Sequence, residues 1–235
     1  MKRRLACLLL TLLLLLCAFP TFALDKQEEE QEAQAARERI VKSCEAAKKR
    51  SGKKSFKGYC GAYINQLMMV YGINTKYVKG NGNQIFDNYK NLEVTTGGYA
   101  IHAYDCKEYT LEEALREIAS QEEIVHNVVI GFTKSPSKSG KKYGHCLFID
   151  TIMGGKVYYS ESSKAESSEG DIEAGDPIVR SLEEFLECYQ NYKLDGVLHF
   201  VLPEDDLLPD LSVEDAVVLE DAGELVLIKT EEADE

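Results

Sequence analysis

The chain has 235 residues, with 40 acidic side chains against 27 lysines and arginines and a formal net charge of −13. Residues 203–235 alone carry thirteen acids and one lysine, while residues 24–202 hold 27 acids and 23 bases. A nearly balanced body with an acidic end has no electrostatic footprint for a polyanion, so nucleic acid is excluded as a partner.

Met1-Lys2-Arg3-Arg4 is followed by an apolar run over residues 5–18 and then by Phe19-Pro20-Thr21-Phe22-Ala23. That is the three-part plan of a secretory signal peptide, residues 1–23, with cleavage expected after Ala23. The apolar run is shorter than the roughly 20 residues of a membrane span. An uncleaved anchor is the alternative, with a lipid-modified Cys17, disfavoured by the bulky Leu16 before it, as a minor one. No later stretch is long and apolar enough to span a bilayer, so no membrane span is expected after signal cleavage, and the destination is secreted or extracytoplasmic.

Residues 24–55 are rich in Glu, Gln, Ala, Lys and Arg, and read as a solvated helix or tether outside the core, running into the basic linker 48–55. Over residues 60–71, Cys60, Ile64, Leu67, Met68 and Tyr71 recur at helical spacing, and further apolar residues predict a mostly buried helix that Gly72 ends. Residues 79–91 read as loop. Thr110 with Glu113, and Ser181 with Glu184, are capping boxes for helices over about 111–120 and 182–192. Strands are expected at 99–104, 128–133, 144–152, 156–160 and 197–202, the fourth following the third across the hairpin signal Met153-Gly154-Gly155. Helices first and an antiparallel sheet afterwards make an α+β domain, residues 56–202. Two polar loops, 134–142 and 163–176, are placed to border a cleft. Residues 203–235 read as an acidic, largely disordered tail with a candidate small hairpin over 217–228.

Cysteine-based acyl transfer needs a thiolate, a base within hydrogen-bond reach and a third group that orients the base. Cys60 stands at the expected start of the buried helix, where backbone N–H groups and the helix dipole favour negative charge. His145 begins a strand, sharing a face with Leu147 and Ile149, and Glu161 ends its hairpin partner. The order suits a Cys–His–Glu triad. His102, His126 and His199 have no informative spacing to carboxylates or thiols, and neither metal-ligand nor phosphate-loop motifs occur, so no cofactor is expected.

Three blocks carry a family resemblance: Tyr59-Cys60-Gly61-Ala62-Tyr63, Tyr143-Gly144-His145-Cys146-Leu147-Phe148-Ile149 and Val157-Tyr158-Tyr159-Ser160-Glu161. They resemble the nucleophile, base and acid blocks of the papain-like cysteine hydrolases, in particular the CHAP-type amidases and endopeptidases of bacterial cell walls and, second, the bacteriocin-leader peptidases. The resemblance implies a papain-like fold with a nucleophile-bearing helix on an antiparallel sheet. It also implies cysteine-dependent hydrolysis of amide bonds, with peptidoglycan peptide or exported peptide as substrate. The alternatives are a catalytically inactive domain of the same fold that binds wall or protein partners, or a peptidase that processes exported polypeptides.

The chain departs from papain and the leader peptidases in having no glutamine shortly before the nucleophile. The oxyanion donors are then expected from the Cys60 backbone N–H with Tyr59 or Ser55. Of the five cysteines after residue 23, Cys60 is expected to stay a thiol, and Cys44, Cys106, Cys146 and Cys188 could form up to two disulfides. Strand alternation points Cys146 away from His145, which is expected to keep it from competing as nucleophile.

Overall fold

A computed structural model describes residues 2–134, 144–162 and 175–202, with side chains from Lys26 onward apart from Lys134. The described residues form five α-helices and six strands. The helices are α1 (Lys2–Ser51), α2 (Cys60–Val70), α3 (Ile85–Tyr89), α4 (Leu111–Ala119) and α5 (Leu182–Tyr189). The strands are β1 (Ala100–Asp105), β2 (Ile124–Lys134), β3 (His145–Met153), β4 (Lys156–Glu161), β5 (Ile178–Ser181) and β6 (Lys193–Val201). The strands make one sheet in the order β1-β6-β2-β3-β4-β5. Every pairing is antiparallel. The fold is therefore α+β, as the element pattern predicts.

Strand alternation sends alternate side chains into two separate cores. Cys146 and Phe148 of β3, Val129 of β2, and Leu198 and Phe200 of β6 pack under α2 and α3. Leu147, Ile149, Val128, Ile130, Phe132 and Val197 face α4 and α5 on the other side. Both short helices carry the capping boxes read from the sequence, Thr110 with Glu113 and Ser181 with Glu184. The β3–β4 turn is closed by Gly154 and Gly155 at φ 55° and 70°, the left-handed pair that a two-residue hairpin turn of matching twist requires.

Residues 24–55 depart from expectation. They are helical for most of their length, but not apart from the core: Ala36, Ile40, Cys44 and Ala47 line one buried face of α1. Small residues at near-helical spacing give a stripe that is narrow in side-chain size yet lets the backbone approach closely. A charge then fixes the orientation: Arg39 reaches the buried carboxylate of Asp150 on β3 at 2.8 Å and also meets Glu32. Asp150 further accepts from Tyr71 Oη at 2.5 Å and from Thr151 Oγ1 at 2.7 Å. The network joins α1 and the residue that follows α2 to the middle strands.

Residues 79–91 are also corrected. A 3-10 turn, Gly82–Gln84, runs into α3, which buries Ile85, Phe86 and Tyr89. A five-residue helix is too short to display a period, although its Asn81/Gln84 capping box is a readable signal. Strand β5, four half-buried residues at the sheet edge, was likewise not expected. β2 begins four residues before its predicted start, because Asn127 at φ 59° is left out of the ladder between His126 and Val128 and breaks the alternation. Both polar loops, apart from their ends, and the acidic tail lie outside the described residues. Among the described residues no helix is long and apolar enough to cross a membrane.

Candidate active site

Cys60 is the first residue of α2, whose N-cap Tyr59 provides no side-chain cap. The first N–H groups of the helix and its positive dipole end are therefore left to favour negative charge at the sulfur. Two hydrogen bonds fix this helix start against the end of β4. Tyr63 Oη lies 3.0 Å from Ser160 Oγ, and Ser162 Oγ donates to the Phe56 carbonyl. Ser160 and Ser162 flank Glu161, so the segments carrying Cys60 and Glu161 are tied together by their neighbours.

His145 opens β3 and pairs with Phe132 of β2, while Leu147 pairs with Glu161 of β4. His145 and Glu161 are thus diagonal cross-strand neighbours on one face, close enough for long side chains to meet. His145 Nε2 and Glu161 Oε2 are 2.5 Å apart, and both side chains are buried. The ring stacks on Phe132, with centroids 6.3 Å apart and planes 10° apart, and is met from another side by Tyr192 at 5.8 Å. With Nε2 engaged by Glu161, Nδ1 is the nitrogen left for Cys60.

The electrostatics favour an ion pair. The Cys60 thiol is lowered to about 4, first by a hydrogen bond from the Cys146 thiol, against burial, and then by hydrogen bonding to and the charge of His145. Burial alone would lower His145, but its hydrogen bonds to Cys60 and Glu161 and their charges raise it to about 9. Thiolate beside imidazolium, with a carboxylate orienting the ring, is the arrangement that attacks a carbonyl carbon and then protonates a leaving amine.

The segment joining α2 to α3 closes on this pair. A Cβ on Gly82 would stand 2.9 Å from Cys60 Sγ and 2.9 Å from the His145 carbonyl carbon, so only glycine fits between them. A Cβ on Gly61 would stand 2.6 Å from the Gly80 carbonyl oxygen. Gly80 and Gly82 therefore lie close against the start of α2.

The expected triad members Cys60, His145 and Glu161 are brought together. The side chains of Tyr59 and Ser55, the expected oxyanion residues, have other partners. Tyr59 is 60% exposed, with Lys53 Nζ lying 4.9 Å from its ring centroid, and Ser55 Oγ is engaged by the Lys57 N–H at 3.1 Å in its own loop. The uncapped backbone N–H groups at the start of α2 are available to an oxyanion. Cys146 lies on the opposite sheet face from His145, and its thiol is pushed well above the ordinary range by burial, yet it is not remote from Cys60. α2 covers that face, and the Cys146 thiol and N–H both reach Cys60. The disulfides are absent among the described residues. Cys44 on α1 and Cys146 on β3 are buried, whereas Cys106, in the turn after β1, and Cys188, on α5, are at the surface.

Sequence reasoning missed Phe132, Tyr192, Gly82 and the role of Cys146. Only Gly82 had a legible signal, in the closely spaced glycines of Gly80-Asn81-Gly82. His199 is buried in mid-strand and meets His102 edge-on at 6.0 Å, as a packed residue does. His126 Nδ1 lies 3.1 Å from Thr151 Oγ1, beside the Asp150 network. Among the described residues no group of three or more His, Cys, Asp and Glu side chains is arranged to hold a metal ion. No family model matches the chain, and no curated protein matches it.

Proposed function

We propose that the protein is an exported cysteine-dependent amide-bond hydrolase of papain-like architecture. The observation that carries this reading is the contact of three groups from three elements: Cys60 at an uncapped helix start, His145 at a strand start and Glu161 at a strand end. In this reading Cys60 attacks the carbonyl, His145 carries the proton to the leaving amine, and Glu161 positions the ring. The negative oxygen is met by the backbone N–H groups at the start of α2. Water then releases the acyl group with His145 as base. Peptidoglycan peptide is the proposed substrate class, following the resemblance to cell-wall amidases, and residues 1–23 direct the protein out of the cytoplasm.

A second reading, a papain-like domain that binds without cutting, is favoured by the lack of a glutamine shortly before Cys60 and by the tight fit of Gly82, which leaves no room for a side chain beside Cys60 Sγ. One experiment separates the two. Purified protein is incubated with muropeptides and, in parallel, with exported polypeptides, and new amino groups are counted. Amines released by the wild type but not by Cys60→Ala support hydrolysis. A wild type that binds muropeptides and releases none supports the second reading.

A further inference from the structure

The strand that begins with His145 delivers a second sulfur to the nucleophile. Cys146 is fully buried beside Phe148 under α2, its thiol is a hydrogen-bond partner of Cys60, and its backbone N–H points to the same sulfur. The two thiols are not joined. They differ in access: Cys60 keeps some solvent exposure, whereas Cys146 has none. They differ in charge as well, since Cys60 is lowered to about 4 while burial and the neighbouring Cys60 push Cys146 well above the ordinary thiol range. Hydrolysis requires one sulfur. The hydrogen bond that lowers Cys60 also holds a second sulfur against the first, which is the juxtaposition a dithiol pair needs.

We propose that Cys60 and Cys146 form a reversible dithiol–disulfide pair that takes a hydroperoxide as oxidant and switches the nucleophile off. The Cys60 thiolate attacks the distal peroxide oxygen and the O–O bond breaks. Cys60 becomes a sulfenic acid, and the departing oxygen takes the His145 proton and leaves as water when the oxidant is hydrogen peroxide. The Cys146 sulfur then attacks Cys60 Sγ, its proton passing through His145 to the departing hydroxide, and a second water leaves. Two thiols are oxidised by two electrons, and one peroxide is reduced to two waters. The buried partner intercepts the sulfenic acid before a second peroxide converts it to the irreversible sulfinic acid. Closing the S–S bond to about 2.05 Å draws Sγ from His145, so the oxidised site has no nucleophile. The regulatory half of this inference rests on the hydrolase reading; the redox chemistry does not.

The test treats the reduced full chain with hydrogen peroxide, blocks remaining thiols with N-ethylmaleimide and maps the digest by mass. The expected product is a Cys60–Cys146 linked peptide that lacks two hydrogens and disappears with dithiothreitol. In Cys146→Ala the linked peptide is lost, and Cys60 proceeds to sulfinic acid that dithiothreitol does not reverse. Sulfinic acid at Cys60 of the wild type without the linked peptide overturns the proposal, as does Cys60 linked to Cys44, Cys106 or Cys188. The wild-type map decides by itself, so a variant that fails to fold does not protect the idea. A linked peptide in a protein that releases no amine refutes the hydrolase reading and leaves the redox pair standing. Where amine release is present, it falls as the linked peptide accumulates and returns on reduction. Amine release undiminished in fully linked protein refutes the switch.

Discussion

Glu161 meets His145 across a strand pairing that is one step out of line with them: the residue opposite Glu161 is Leu147, and His145 lies two residues earlier on the same face. The sheet, and not a loop, therefore sets the orientation of the imidazole. The 2.5 Å contact to Nε2 leaves Nδ1 for Cys60. If this is a positioning contact, Glu161→Gln lowers amine release less than Cys60→Ala or His145→Ala. His145→Ala is expected to cost roughly 10²–10⁴-fold, the range for a general acid–base group. Glu161→Gln also lowers the alkaline limb of the pH profile, because the carboxylate helps to hold the proton on His145. An unchanged alkaline limb refutes the positioning role.

The pH window follows from the two shifted groups. Cys60 is lowered to about 4, so the thiolate is lost as pH falls through that value. His145 is raised to about 9, so the imidazolium is lost as pH rises through that value. The expected kcat/KM profile is a bell with limbs near these two values. Iodoacetamide should alkylate Cys60 ahead of Cys44, Cys106, Cys146 and Cys188 at neutral pH, read by mass mapping after a brief exposure.

Gly82 separates crowding at the site from global stability. A methyl group there has Cys60 Sγ at 2.9 Å and the His145 backbone equally near, with no free space to take it. Gly82→Ala is expected to slow both alkylation of Cys60 and amine release. Gly72→Ala serves as a control for strain without crowding, because Gly72 has φ 69° but nothing within 4 Å of its added carbon. Equal loss of Cys60 reactivity in the two variants would refute the crowding argument.

Arg39 tests the integration of α1. Its side chain is 16% exposed, and its partner Asp150 is fully buried. Removing one partner of a buried pair strands the other charge, at a cost of about 3–5 kcal/mol in stability. Arg39→Met should lower the urea midpoint accordingly, and a parallel Asp150→Asn, Arg39→Met double variant should recover part of the loss. A midpoint unchanged in Arg39→Met would mean that α1 is peripheral to the folded unit.

His199 gives an acid-side prediction. Burial, then the charges of His102 and His126, lowers it to about 4 from an unfolded value of 6.5. The unfolded chain therefore binds a proton that the folded chain refuses as pH falls from 6.5 toward 4, and stability declines over that window at up to about 1.4 kcal/mol per pH unit from this group. Cys60, also lowered, declines over the same acid range, so the measurement is the difference between wild type and His199→Gln. The variant should show the shallower decline, and parallel slopes would refute the assignment.

Local patterns were enough for much of this protein. The α2 period, the two capping boxes, the Gly154-Gly155 turn and the alternation of β3 and β4 are each written over a few consecutive residues. They were sufficient to single out Cys60, His145 and Glu161, which the structure brings together. Other features depend on what each residue packs against, which no local pattern contains. Ala36, Ile40, Cys44 and Ala47 become core because Arg39 finds Asp150, 111 residues away in sequence. Five residues of α3 are helical because Ile85, Phe86 and Tyr89 have a sheet to cover. Alternation correctly assigned Cys146 to the face opposite His145, but only the packing of α2 over that face brings its thiol to Cys60. Side-chain direction is a local property of the backbone, whereas contact is a property of the assembled layers.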